Sequence, residues 1–154
     1  MIRQTLAFLC LTAMMASTAE TTNFSGTWQF SPSKSKNVGM MSQMAMTQTI
    51  AQSSVALDVT THTTFQGKDD ESKTHYDLTG KASTNESPMG GPAQTVSKWD
   101  AGKLLTTWTS ESAVAGGPKV IRTETRSLSS DRKTMTVESV RGSNPPLVMV
   151  FEKK

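Results

Sequence analysis

The chain has 154 residues, is 35% hydrophobic and 19% charged, and carries a formal net charge of +3 with its basic residues scattered along its length. Nothing gathers those residues into the stripe that a nucleic-acid partner requires, and no segment approaches the roughly 20 apolar residues of a membrane-spanning helix. The single cysteine, Cys10, lies near the N-terminus, so residues 20–154 have no disulfide and depend on their core alone.

Residues 1–19 carry one positive charge, Arg3, then the apolar run Leu6 to Met15, then Ala16, Ser17, Thr18 and Ala19. This is the layout of a cleaved secretory signal, with Ser17-x-Ala19 as the cleavage site and Glu20 as the mature N-terminus. Leu9 stands before Cys10, where a lipid-attachment site needs a small residue, so Cys10 is expected to leave with the leader. The expected product is an exported protein, periplasmic or extracellular, in which residues 20–154 form one domain.

From there Thr, Ser, Val and aromatic residues recur in short alternating runs separated by Gly, Asp, Asn and Pro, the pattern of an all-β barrel or sandwich. The alternation predicts strands at 26–30, 44–52, 55–65, 72–78, 95–99, 104–112, 119–128, 134–140 and 147–152. In a hairpin both strands turn their apolar residues to one face, which sets the register. A turn between Lys68 and Asp69 pairs Phe65 with Ser72, Thr61 with Tyr76 and Val59 with Leu78, leaving Asp58, Thr60, His62 and His75 on the other face. A turn at Ala101-Gly102 pairs Trp99 with Leu104 and Thr95 with Trp108. One at Asp131-Arg132 pairs Leu128 with Met135, Arg126 with Val137 and Glu124 with Ser139. Consecutive hairpins make a meander, and a long twisted meander removes its edges by closing. An antiparallel up-and-down barrel is therefore expected, with a β-sandwich as the alternative. The final run, Leu147 to Phe151, is apolar at every position and suits a strand covered on both sides.

The opening Asn23-Phe24-Ser25-Gly26-Thr27-Trp28-Gln29-Phe30 resembles the G-x-W start of the lipocalins and fatty-acid-binding proteins, together the calycins. With the ending Val150-Phe151-Glu152-Lys153-Lys154 it is also similar to exported bacterial lipocalin-like proteins. The resemblance implies a lipocalin-like barrel plugged at one end by Trp28, with the indole N–H satisfied nearby. The departures are a missing T-D-x-x-Y segment, no long helix after the barrel, no disulfide, no lid of paired helices and no terminal R-x-Y. Ligand chemistry therefore does not carry over residue by residue.

The remaining constellations are judged on their own chemistry. His62 and His75 are the only histidines, and the first register sets them opposite one another with Asp77 on the same face. Two imidazoles and a carboxylate are ligands for Zn or Cu, but a metal site usually takes three or four protein ligands with a supporting shell. The expectation is two solvent-exposed histidines, no metal and no cofactor. Arg122, Glu124 and Arg126 alternate on one strand toward Leu128, Met135 and Val137. They make either an exposed ion-pair ladder or an interior anchor for a carboxylate. Met40, Met41, Met44 and Met46 read either as a flexible portal or as inward strand residues. The stretches 87–92 and 115–118 read as mobile loops at one end of the barrel. Asn23-Phe24-Ser25 and Asn85-Glu86-Ser87 fit the glycosylation sequon, with Pro88 against the second.

Together these point to a non-enzymatic protein that binds a small hydrophobic or amphipathic molecule in its interior. Tyr76, Trp99, Leu104, Trp108 and Met135 are the expected lining, and Arg122 or Arg126 the polar anchor. The competing expectation is a barrel filled by its own side chains that serves as a structural or protein-binding module.

Overall fold

Side chains point alternately to opposite faces of a strand, so a ribbon with one wet face buries every second residue. The computed structural model describes residues 21–88 and 90–154 and follows that rule almost throughout. The leader reading of residues 1–19, Cys10 included, lies outside the described residues. In β1 (Gly26–Phe30) Trp28 and Phe30 are buried, in β2 (Ala45–Gln52) Met46, Gln48 and Ile50, and in β3 (Ala56–Phe65) Leu57 and Val59. β4 (Lys68–Asp77) and β5 (Ala82–Glu86) each bury one residue, Tyr76 and Asn85. β6 (Pro92–Asp100), β7 (Lys103–Ser110), β8 (Val120–Leu128) and β9 (Thr134–Arg141) alternate again, and β10 (Leu147–Lys153) ends the chain.

The ten strands form one antiparallel sheet in the order β4-β3-β2-β1-β10-β9-β8-β7-β6-β5. Every neighbour follows in sequence except β1 and β10, the first and last strands, which pair with Phe30 opposite Phe151 and Trp28 opposite Lys153. A single curled sheet of this kind is a nearly closed barrel, and it excludes the sandwich. β10 is half-buried to buried from Leu147 to Phe151, and the segment after β1 runs on beside it through the Lys36–Val148 bridge.

No backbone ladder joins β4 to β5, and a side chain takes its place. Asn85 Oδ1 accepts the His75 N–H at 2.8 Å, while its Nδ2 donates to the His75 carbonyl at 2.8 Å and to Thr95 Oγ1 at 2.8 Å. The amide thus reproduces the donor–acceptor pair that a neighbouring peptide would offer. β5 is the strand that alternation missed, because Ala82-Ser83-Thr84-Asn85-Glu86 buries only a polar residue.

The second and third hairpins have the expected registers, including Trp99 opposite Leu104 and Glu124 opposite Ser139. The first does not. Its turn is Gln66-Gly67, both with positive φ (50° and 75°), which is the backbone a two-residue hairpin turn demands. Thr61 therefore faces Ser72 and Leu57 faces Tyr76. The partner of Thr61 is shifted by four residues from the expected one, an even number, so each residue keeps its face although its neighbours change.

The two ends of the barrel differ. At the closed end the segment before β1 folds across the opening, with Phe24 stacked on Trp99 at 6.1 Å between ring centroids. Trp28 is fully buried and its Nε1–H donates to the Phe24 carbonyl at 2.9 Å, as the plug role requires. Gln52 fixes this segment by accepting from Phe24 N and donating to the Thr22 carbonyl, each at 2.8 Å. Leu57, Leu104 and Met135 are fully buried beside it. At the other end lie the β1–β2, β3–β4, β5–β6, β7–β8 and β9–β10 connections, so the loops 87–92 and 115–118 do share an end. The β1–β2 connection holds only the short 3-10 turns Pro32–Lys34 and Gly39–Gln43. Among the described residues no helix is long and apolar enough to cross a membrane.

Two substitutions test this architecture. Asn85→Ala removes both bonds to His75 and is expected to destabilise the fold by about 2 kcal/mol, at roughly 1 kcal/mol per hydrogen bond. Its signature is fast hydrogen exchange at the His75 amide, and a still-protected amide would show that the seam has another support. Gly26 holds φ at +131°, and a Cβ there would lie 3.3 Å from Lys153 Cε. Gly26→Ala should therefore cost about 1–3 kcal/mol in urea unfolding.

Candidate functional site

Above the plug the barrel encloses a cavity of about 830 Å³ that opens toward the loop-rich end. Its apolar lining includes Met41, Met44, Met46, Val59, Val137 and Met149, and its polar lining includes Gln48, Thr61, Thr63, Thr74, Tyr76, Glu124, Arg122 and Arg126. Even-numbered slippage of the first hairpin leaves Thr61, Thr74 and Tyr76 on the inner face, which is why the lining survives the register error. The methionines divide by position. Met46 is a buried strand residue, Met41 and Met44 lie at the mouth, and Met40 is 69% exposed.

The charged triad of β8 lies inside, not on an exposed ladder: Arg126 is 2% and Glu124 6% exposed. Glu124 Oε1 accepts from Tyr76 Oη at 3.1 Å and from Arg126 Nη2 at 3.4 Å, and its Oε2 lies 3.7 Å from Arg122 Nη1. Arg126 Nη1 donates to Gln48 Oε1 at 3.1 Å and to Met135 Sδ at 3.4 Å. Arg122 Nη1 donates to Ser139 Oγ at 3.3 Å, and its guanidinium lies 4.4 Å from the centre of the Trp108 ring. Trp108 meets Tyr76 edge-on, with centroids 6.0 Å apart.

Two guanidiniums against one carboxylate leave the triad with a net positive charge. Among the described residues the buried side-chain atoms without a partner are Trp108 Nε1, Arg122 Nη2 and Arg126 Nε, all of them donors and all on residues of this cavity. Each unpaired buried donor costs about 1–3 kcal/mol. The arrangement can therefore accept a molecule that brings an anionic or acceptor group on an apolar body.

The expected site residues divide. Tyr76, Trp108, Arg122 and Arg126 line the cavity. Trp99, Leu104 and Met135 do not; they belong to the packing beneath it, because residues near the closed end of β6, β7 and β9 meet the plug rather than the open interior. Gln48, the acceptor for Arg126, went unrecognised, although its place between Met46 and Ile50 on an alternating strand marks it as inward.

The histidine pair is a correction. His62 faces Glu71 and His75 faces Asp58, so the imidazoles stand four positions apart, about 13 Å at a rise of roughly 3.3 Å per residue. Each meets a carboxylate on the outer face: His75 Nδ1 lies 2.6 Å from Asp58 Oδ1 and His62 Nδ1 3.3 Å from Glu71 Oε2. Asp77 Oδ1 instead accepts from Thr79 N, Thr79 Oγ1 and Lys81 N in the β4–β5 turn, and the Thr79 hydroxyl holds its carboxyl below the usual range. Among the described residues no cluster of three or more His, Cys, Asp or Glu could hold a metal ion.

No protein-family model matches the chain, and no curated protein sequence does. Solved structures do. A fatty-acid-binding protein of Echinococcus granulosus superposes with a TM-score of 0.66 at 11% identity, covering 84% of this chain and 96% of its own. The REP1-NXSQ fatty acid transporter gives 0.64 at 16% identity, covering 84% and 95%. A fatty-acid-binding protein of Drosophila melanogaster brain gives 0.63 at 18%, covering 84% and 99%. At such identities the likeness is one of fold. The ten-stranded, nearly closed barrel is a fold shared with these structures, whereas a lipocalin barrel has eight strands.

Burial raises the pKa of the Tyr76 phenol far above its ordinary 10.0, Glu124 adds to the rise, and Arg126 opposes it. The unfolded chain ionises near the ordinary value while the folded one keeps its proton. The stabilisation is therefore complete below pH 10 and declines above it as the unfolded state becomes the easier one to ionise. Tyr76 is the only tyrosine, so phenolate absorbance reports it alone. The native protein should show no phenolate at a pH where the urea-unfolded chain is half ionised, and coincident titrations would place the phenol in solvent.

Proposed function

We propose that this protein is an exported, non-catalytic carrier that holds a small amphipathic molecule with an acidic head and an apolar tail inside its barrel. The observation that carries the reading is the cavity of about 830 Å³, within the roughly 300–1,000 Å³ range of small-molecule sites, on whose lining residues lie the unpartnered buried side-chain atoms found among the described residues, all of them donors. Within the Arg122–Glu124–Arg126 triad two guanidiniums face one carboxylate, which favours an anion at that depth, while Asp70, Glu71 and Glu86 lie on other parts of the lining and Met41, Met44, Met46, Val59 and Val137 offer an apolar surface for a tail. The similar structures named as fatty-acid-binding proteins and as a fatty acid transporter support the same class of ligand. A barrel filled by its own side chains needs an interior without such a cavity, which counts against the structural-module alternative. Export rests on the leader-like composition of residues 1–19.

Residues 20–154 titrated with an environment-sensitive fluorescent fatty acid are expected to bind it saturably and to shift the tryptophan emission. A linear, non-saturating response would sink the carrier reading. Thr61 is half-buried and faces the cavity, so Thr61→Trp fills space there without disturbing the plug. It should weaken probe binding at least tenfold while the far-ultraviolet circular dichroism stays that of the parent.

A further inference from the structure

The wall formed by β4 departs from the rest of the barrel. β3 and β8 give every second residue to the cavity, Val59, Thr61 and Thr63 in one and Arg122, Glu124 and Arg126 in the other, whereas β4 gives five in succession, Asp70 to Thr74. Neighbouring side chains lie on opposite faces of a strand, so the space reaches round the edge of β4. It opens sideways there, toward the β5–β6 turn. β4 has ten residues and β5 only five, and Lys68 to Lys73 are all exposed, the inward-pointing Asp70 and Ser72 included.

The backbone of this edge is laid out as a template. In an antiparallel strand the peptide groups point alternately to one neighbour and to the other. Two observations fix that alternation: the two-residue turn pairs Phe65 with Lys68, and His75 bonds through both its N–H and its C=O to Asn85. Lys68, Asp70, Ser72 and Thr74 are thus the residues that bond β3, while Asp69, Glu71, Lys73 and His75 turn their N–H and C=O to the open side. Asn85 satisfies His75, but among the described residues the peptide groups of Asp69, Glu71 and Lys73 have no partner. They continue, two residues apart, the line on which one side-chain amide already stands in for a strand.

The side chains say what kind of strand fits. On the outer face Asp69, Glu71 and Glu86 stand against one cation, Lys73, which lies 3.4 Å from Glu71. His62 lies 3.3 Å from the same carboxylate. Two copies of this edge laid together would set carboxylate against carboxylate, a destabilising arrangement, whereas Lys or Arg on the outer side of an added strand would oppose the acidic excess. The inner side of such a strand would look into the cavity, where the lining includes Met44, Met46 and Val59. Apolar residues suit that side.

We infer that the open edge of β4 from Asp69 to Lys73 docks an extended segment of a partner protein, with basic and apolar residues alternating, as an added strand. This goes beyond the carrier reading and does not depend on it.

An acetylated and amidated peptide of alternating Val and Lys is titrated into nitrogen-labelled residues 20–154. Two controls accompany it: the same peptide with Glu in place of Lys, and the Lys peptide methylated at its peptide nitrogens. The Lys peptide should shift the β4 resonances saturably and slow hydrogen exchange at Asp69, Glu71 and Lys73 by roughly tenfold or more, skipping Asp70 and Ser72, whose amides already bond β3. Both controls should bind roughly tenfold more weakly or worse, since one reverses the charge and the other removes the donors. Lys73→Pro removes a donor that β3 does not use, and edge strands tolerate proline. With the circular dichroism of the parent retained, this variant should lose the protection at Asp69 and Glu71. Exchange slowed without the alternation, an acidic peptide that binds as well as the basic one, or a titration with no saturable shift would each overturn the inference. The carrier reading stands or falls on the fatty-acid titration alone.

Discussion

A ribbon of ten strands has two edges, and hiding them is the constraint on which the rest of this structure depends. Pairing β1 with β10 joins the first and last strands and leaves β4 and β5 as the remaining edges. There the backbone does not complete the ladder, and one side-chain amide, Asn85, supplies both a donor and an acceptor to His75. β5 can be short and polar because its inward residue is a connector rather than a piece of core. Gln52 applies the same chemistry at the plug, where its amide binds the segment from Thr22 to Phe24.

Closure separates the interior into two regions with different chemistry. Near the plug Trp28, Phe24, Leu57, Leu104 and Met135 are buried in mutual contact, and this is where apolar burial stabilises the fold. Toward the mouth Thr, Gln, Arg and Glu replace them. Taking an ion pair such as Arg126 and Glu124 out of water costs several kcal/mol per ion, and replacing such pairs with apolar residues is often neutral or stabilising. A barrel selected only for stability would have little reason to keep them. Beside them, among the described residues, stand three buried donors without a partner, which the proposed acidic ligand would satisfy.

The connection that borders the mouth is short of helix. Two short 3-10 turns are all the helical structure between β1 and β2, and Met41 and Met44 stand at the entrance where that connection meets the cavity. Unbranched, polarizable methionine side chains adapt their packing to irregular apolar surfaces.

Nine of the ten strands, the faces they present and two hairpin registers were legible in the sequence, because alternation is a local property that each strand carries by itself. Gly26-Thr27-Trp28 likewise announced the plug. The first register was not legible: a slip of four residues leaves the apolar face intact, so hydrophobic pattern cannot detect it, and only the positive φ of Gln66 and Gly67 selects the turn. That slip is also what separated the two histidines. Alternation assigns a residue to the inside but not to a height along the barrel axis, which is why Trp99, Leu104 and Met135 were expected to line a space that lies above them. The sequence by itself therefore determined which side chains face inward. Only the tertiary structure decided which of them pack together, which surround a cavity and which edge needed Asn85, because those outcomes depend on how strands distant in the chain are stacked around a common axis.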